Sequence, residues 1–354
     1  MRRAGGRRTM TGRAGRGDLP PGAATARPGG SFAVSDAGGD MGEGASLFVL
    51  GSFVAACSAT VARLPRPGET LEARAFQFDP GGKGLNLAVG ARRLGARVDG
   101  LIAVGHDAFG DLAAAALRRA DLPDTLLRRV EAPTGAGIGF VDAAGENCIA
   151  VYPGANARLG AAEVAEVADR LVRARLVLAQ FETSDAAVSE AFRRARAAGV
   201  ETLLNPSPFR PPPPGLLART GILVVNATEA AALGEALGLA GAAPADLAAA
   251  LLDRGPRLVV VTLGRGGAIA RAAGEPLLVQ PALPVAALDT IGAGDAFTAG
   301  LAVSLAEGHP LAACLRHAAA CAACVVARRG VFEALPDRAA RDAALAALSA
   351  PPGP

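Results

Sequence analysis

From residue 46 onward, short and wholly apolar runs alternate with longer stretches in which Ala and Leu recur at helical spacing. Leu47-Phe-Val-Leu50, Leu176-Val-Leu-Ala179, Gly221-Ile-Leu-Val-Val225 and Leu258-Val-Val-Val261 have no polar alternation. Strands buried on both faces look like this. The periodic stretches predict helices over 85–95, 107–120, 161–174, 185–198, 227–238, 244–254, 295–307 and 310–328. Strand–helix alternation predicts an α/β fold, a mostly parallel central sheet with helices on both faces. Two regions interrupt it: 68–79 and 136–152 read as extended segments without helices. The second contains Asp142-Ala-Ala-Gly145, a hairpin turn. Together they are expected to form a small β-sheet, a lid over one edge of the main sheet. Four prolines at 211–214 predict a rigid connector.

Residues 1–45 are rich in Gly, Arg, Ala and Pro and have no apolar period. They are expected to be a disordered tail, ahead of a folded domain over 46–345 and a short disordered tail at 346–354. All three methionines, Met1, Met10 and Met41, fall in the first segment, so the natural start is expected nearer Met41.

Composition narrows the function. The chain has 354 residues, about half of them apolar, enough for one large α/β domain. Its formal net charge is +3, yet residues 1–40 alone hold seven arginines against three aspartates. The remainder is therefore close to neutral, which argues against a nucleic-acid surface. No apolar stretch reaches the ~18 residues of a membrane span, and the basic start lacks the apolar segment of a secretory signal. The five cysteines, Cys57, Cys148, Cys314, Cys321 and Cys324, form no paired zinc pattern. Cys321 and Cys324 fall in an Ala-rich helical run and read as small buried residues. An odd number without a disulfide framework fits a reducing, cytoplasmic setting.

The most informative stretch is Asp289-Thr-Ile-Gly-Ala-Gly-Asp-Ala-Phe297, which follows a strand-like run at 284–288 and opens the helix expected from Asp295. Gly292, Ala293 and Gly294 let several backbone N–H groups converge, and a helix N-terminus adds positive potential. Such a cradle suits an anion whose charge is developing, and Asp295 at its mouth can take a proton from an attacking hydroxyl. An Asp capping a helix after a Gly turn gives the same local pattern without chemistry, and locally both readings stand.

Asp-Thr-x-Gly-Ala-Gly-Asp resembles the C-terminal signature of the ribokinase (PfkB) family of sugar kinases. Further stretches resemble that family in the same order: Gly51-Ser52, Pro65-Arg-Pro-Gly-Glu-Thr70, Gly81-Gly-Lys-Gly-Leu-Asn86, Gly145-Glu-Asn-Cys-Ile-Ala-Val-Tyr-Pro-Gly-Ala-Asn156, Gln180-Phe-Glu182, Asn226-Ala-Thr-Glu229 and Thr262-Leu-Gly-Arg-Gly-Gly267. The resemblance implies ATP-dependent phosphorylation of a primary hydroxyl, most simply of D-ribose. It implies sugar contacts at Gly82, Lys83, Gly84, Leu85, Asn86, Glu182 and Asp295. Nucleotide and magnesium contacts would come from Asn226, Glu229, Thr262, Leu263, Gly264, Arg265, Gly266, Gly267 and Gly294. It also implies a monovalent cation, usually potassium, held by Asp289, Ile291, Val325, Arg328 and Gly330, and a homodimer joined through the lid. The chemistry of the residues agrees: Asn86 can both donate and accept toward paired hydroxyls, and magnesium keeps its own waters, so one nearby carboxylate suffices. Lys83 as an exposed loop cation, and Glu182 as a neighbour of a helix cap, are the plain alternatives.

Two departures stand out. At the cation loop the family has a Ser where this chain has Ala334. Near the start, the family's Asn-x-Asp pair, which grips sugar hydroxyls, falls on Val54 and Ala56. A less polar pocket keeps a nucleoside kinase, or another sugar kinase of the same fold, in view. A non-catalytic sugar or nucleotide binder is disfavoured by the intact Gly292, Gly294 and Asp295. A P-loop NTPase is excluded by the missing Gly-x4-Gly-Lys-Ser/Thr. His106, His309 and His317 have no metal-ligand spacing.

Overall fold

The computed structural model describes Phe32, Val34, 44–143 and 146–349. The expected tail therefore lies outside the described residues except at Phe32, Val34, Gly44 and Ala45, as does most of 346–354.

The chain begins with β1 (Ser46–Gly51), β2 (Val54–Thr60), β3 (Ala75–Gly81), α1 (Lys83–Arg93), β4 (Arg97–Val104), α2 (Ala108–Arg119) and β5 (Leu127–Arg129). There follow β6 (Ala136–Val141), β7 (Asn147–Tyr152), α3 (Ala161–Glu166), α4 (Ala168–Leu171), β8 (Leu176–Gln180), α5 (Asp185–Ala197) and β9 (Glu201–Asn205). The remainder is β10 (Ile222–Asn226), α6 (Ala227–Ala236), α7 (Pro244–Leu252), β11 (Leu258–Thr262), β12 (Ala268–Ala272), β13 (Leu278–Gln280), α8 (Ala293–Ala306), α9 (Leu311–Val326) and α10 (Arg338–Ser349).

Nine strands form the main sheet in the order β13-β12-β11-β10-β9-β8-β1-β4-β5, parallel except where β12 and β13 join. The apolar runs occupy its centre: every residue of β1, β8 and β9 is buried. Two clusters of apolar side chains cover its faces, with Leu47 and Val49 in one, Phe48 and Leu50 in the other. After β1 the chain builds β4 on one side and later β8 on the other, so strand order reverses at β1. Ligands of open α/β sheets bind beyond the carboxyl ends of strands at such a point.

The small sheet runs β3-β2-β6-β7. It corrects the lid expectation in one half. The segment 136–152 does give the hairpin β6–β7, although Ala144 and Gly145 of its turn lie outside the described residues. The segment 68–79 is strand only from Ala75, and its partner is β2, which the sequence pattern did not single out. Pro65 and Pro67 carry no N–H for a ladder, and Val-Ala-Ala-Cys-Ser-Ala-Thr has little polar alternation.

Three further corrections follow. The run at 284–288 is not a strand, since Pro284 cannot donate; Leu288 and Asp289 instead donate to the Val326 carbonyl at the end of α9. Helix α8 opens at Ala293, with Gly292 as its cap at φ 79°, so Asp295 is the third helical residue rather than the cap. α10 continues to Ser349, past the boundary expected at 345. The tail expectation also fails at two positions. Phe32 and Val34 are buried in the main core, Phe32 N–H donates to Glu275 Oε1, and Arg257 lies over the Phe32 ring. Of the two cysteines expected to be buried, Cys321 is and Cys324 is only half-buried; Cys314 is buried as well, and burial pushes the Cys314 and Cys321 thiols up to about 12. Among the described residues no helix is long and apolar enough to cross a membrane.

Candidate active site

The residues that the motifs singled out converge at the carboxyl ends of the parallel strands. Ser52 follows β1, Glu182 follows β8, Asn226 ends β10 and Thr262 ends β11. Lys83 and Asn86 sit in the first turn of α1, whose entry requires Gly82 (φ 99°). Gly84 lets α1 lie against β1, since a Cβ there would fall 1.9 Å from the Ser52 nitrogen.

A polar network ties these pieces together. Ser52 Oγ donates to Glu182 Oε2 at 2.6 Å, and Lys83 N–H donates to the same oxygen at 2.8 Å. Gly84 N–H and Gln180 Nε2 both donate to Ser52 Oγ. Lys83 Nζ stands 3.3 Å from Asp295 Oδ1, and Asn86 Nδ2 donates to Asp295 Oδ2 at 2.8 Å. Lys83 is thus a paired site cation, not a loop charge. Burial works to lower its pKa, but Asp295, Glu182 and Glu229 together hold it above the usual value. Burial pushes the Glu182 carboxyl up, against the hydrogen bonds from Ser52 and Lys83 N–H. Among the described residues nothing donates to the buried Asn86 Oδ1. A buried acceptor left unmade costs free energy, and a ligand hydroxyl would satisfy it.

Asp295 is 5% exposed and lies between a residue of each of two cavities of about 590 Å³: its ion-pair partner Lys83 lines the first and its chain neighbour Gly294 lines the second. Lys83, Glu182, Val54 and Asn156 line the first. Asn226, Thr262, Arg265, Ala293, Gly294 and Phe297 line part of the second. Gly292 supplies no side-chain cap to α8; Ala293 N–H donates to the Thr290 carbonyl, and among the described residues the N–H groups of Gly294 and Asp295 are left for an anion. A Cβ on Gly294 would meet nothing within 4 Å, because that position opens onto the second cavity. Among the described residues no three His, Cys, Asp or Glu side chains group to hold a metal ion.

Other expected contacts divide. Gly264 and Gly267 line the second cavity, Gly266 is exposed, and Leu263 packs against the core. Leu85 is 1% exposed within the core and does not reach the pocket. Asn226 and Glu229 cap α6 reciprocally, Oδ1 to Glu229 N–H and Oε2 to Asn226 N–H. Of the cation loop, Asp289 Oδ1 accepts from Ile291 N–H, the Val325 carbonyl accepts from Arg328 N–H, and Gly330 has φ 77°. Sequence reasoning quoted Ser52 and Gln180 without a role; they are the hub through which Glu182 meets α1.

The model of the pfkB family carbohydrate kinases matches residues 45–338. The chain belongs to this family. Mouse (Mus musculus) ribokinase is 36% identical over 271 residues, 75% of this chain and 83% of the mouse protein. Deoxyribokinase of Salmonella typhi is 32% identical over 300 residues, covering 82% and 95% of the two chains. The structure of Arabidopsis thaliana ribokinase complexed with ribose and ATP superposes with a TM-score of 0.78 at 31% identity, covering 86% of this chain and 99% of that one. This pfkB kinase is therefore an enzyme that phosphorylates a sugar with ATP, on a ribokinase-like fold.

Proposed function

We propose that the chain transfers the γ-phosphoryl group of ATP to the primary hydroxyl of a pentose, most simply D-ribose, with Asp295 as the base. One observation carries this reading: a buried carboxylate in the first turn of α8, paired with Lys83 of one cavity and next in the chain to Gly294 of the other, beside an Asn86 oxygen that finds no donor among the described residues. The sugar would occupy the cavity with Lys83 and Glu182, its hydroxyls pairing with Asn86 Oδ1 and the Glu182 carboxylate. The nucleotide would occupy the cavity lined by Thr262, Arg265 and Phe297. As the hydroxyl oxygen attacks the γ-phosphorus, its proton passes to Asp295 and the bond to the β-phosphate oxygen breaks, releasing ADP. The free N–H groups of α8 meet the charge on the transferring group.

A magnesium ion would neutralise phosphate charge; Glu229 would hold it through water, which suits an ion that keeps most of its own waters. Potassium would sit at Asp289, Ile291, Val325, Arg328 and Gly330. The buried methyl of Ala334 supplies no oxygen there, so stimulation should be weaker than in a site with Ser. Exposed Phe76, Ile138, Ile149, Val151 and Tyr152 on the small sheet support a homodimer through the lid. The setting proposed is the cytoplasm. A nucleoside as acceptor is the second reading, favoured by Val54 on the wall of the sugar cavity.

ADP release measured against pentoses, hexoses and nucleosides tests the proposal. Highest kcat/KM on ribose supports it; preference for a nucleoside selects the second reading; no turnover with any of them sinks both.

A further inference from the structure

Strand β2 carries Val54 and Ala56, two positions apart and so on one face of the small sheet. Val54 lines the cavity that also holds Lys83 and Glu182, so this face looks onto the acceptor site. In the antiparallel ladder with β3, Val54 stands opposite Gly81 and Ala56 stands opposite Asp79. Residues directly opposed in such a ladder project from the same face, with Cβ atoms about 4.5–5.5 Å apart. The neighbouring glycines confirm the geometry. A Cβ on Gly81 would lie 3.4 Å from Ala56 Cβ, and one on Gly137 would lie 3.3 Å from Val54 Cγ1. Toward the site this part of the lid thus shows Val54 and, across Gly137, Val151, with Ala56, two glycine gaps and a single carboxylate, Asp79.

Among the described residues nothing occupies that carboxylate. Asp79 is exposed, and among the described residues it takes part in no hydrogen bond and no ion pair. A charge on an edge strand can serve only to repel stray pairing. The glycine gaps beside it argue for more, because they clear the space between Asp79 and the cavity. A carboxylate accepts hydrogen bonds from two adjacent hydroxyls, and such charge-assisted bonds are about twice as strong as neutral ones.

We propose that Asp79 is the lid's grip on the acceptor: it reaches from the strand beside Ala56 to hold adjacent hydroxyls of a polyol bound against Glu182 and Lys83. The carboxylate that binds sugar from above has moved one strand across the lid. Val54 then faces a carbon edge of the acceptor rather than a hydroxyl, so the favoured substrate is a sugar with neighbouring hydroxyls toward β3 and an apolar edge toward β2. The inference rests on the sugar-kinase reading of the site.

The test begins with wild-type turnover on the sugar panel, which decides that reading by itself. Asp79→Asn and Asp79→Ala are then assayed on the best sugar. KM for the sugar is expected to rise roughly 10- to 100-fold, the loss of one or two charge-assisted hydrogen bonds. KM for ATP and Tm should not move, because the side chain touches neither the nucleotide nor the core. The double variant Ala56→Asp with Asp79→Ala should recover most of the lost sugar affinity, which a purely structural role for Asp79 would not allow. If both single variants keep the wild-type KM while turnover on sugar is intact, Asp79 only guards the sheet edge and the proposal fails, with the kinase reading unharmed. A rise in KM matched by a fall in Tm would overturn it in the same way. If wild type phosphorylates no sugar, the kinase reading fails first and this inference with it.

Discussion

At the scale of single residues, the site separates chemistry from binding. Asp295 touches both Lys83 and Asn86, and an amide of the same shape keeps most of that packing while losing the carboxylate proposed as the base. Asp295→Asn is expected to lower kcat by about 10²- to 10⁴-fold. Tm and nucleotide affinity should stay near wild type; kcat within about tenfold of wild type would remove Asp295 from the role of base. Glu182 gives a different signature. Its carboxyl is held above the usual range chiefly by burial. The folded state therefore binds this proton more firmly than the unfolded chain does. Its contribution to stability is present at low pH and is lost as pH rises through the raised value. The hydroxyl-accepting form is the ionised one, so binding and stability pull in opposite directions. Sugar KM should climb on acidification, beginning above the ordinary carboxylate range, with KM for ATP flat. Glu182→Gln should remove that acid limb, and a limb that survives in this variant would assign it elsewhere.

At the scale of elements, the helices and central strands were legible because each follows from an uninterrupted local pattern: Leu258-Val-Val-Val261 reads as a buried strand in any context. What the pattern could not supply is pairing across the chain. Asn86 and Asp295 are separated by 209 positions, and Ser52 and Glu182 by 130; only the fold closes those distances. Most of the residues that the family motifs singled out gather at the carboxyl ends of the parallel strands. Motif order says nothing, however, of Leu85 turning into the core or of Ser52 receiving Gly84 and Gln180. β2 went unread because Ala-Ala-Cys-Ser-Ala fits any element, and Phe32 and Val34 because two apolar residues in a polar segment make no period. Those two side chains carry the next prediction. Both are buried in the main core, so removing residues 1–40 should lower stability by about 2–4 kcal/mol. Removing residues 1–30 leaves them in place and should be nearly neutral. Equal melting temperatures for the two truncations would show that the pair contributes nothing.

At the scale of the whole molecule, the lid is not an appendage. β1 passes to β2 through Ser52 and Phe53 alone, and β3 enters α1 directly through Gly82. Asn156 fixes the same junction from the other hairpin, accepting from Phe53 N–H at 3.0 Å and donating to its carbonyl at 2.7 Å. Two strands of the small sheet, β2 and β3, and the residues that hold Glu182, namely Ser52 and Lys83, therefore form one continuous piece of chain. Water is the standing competitor of any phosphoryl acceptor, and a cleft that closed on nucleotide alone would waste ATP by hydrolysis. With the cover spliced into the sugar grip, the cleft is sealed best when an acceptor fills it. Hydrolysis of ATP in the absence of sugar should then be at least about 10³-fold slower than transfer to the best acceptor, the scale on which positioning and water exclusion act together. A sugar-free rate approaching that of transfer would mean that the cover moves independently of the acceptor. A slow sugar-free rate would mean that the thrift of the enzyme is written into its topology, the order of β1, β2, β3 and α1 along the chain making recognition of the acceptor and protection of the donor the same event.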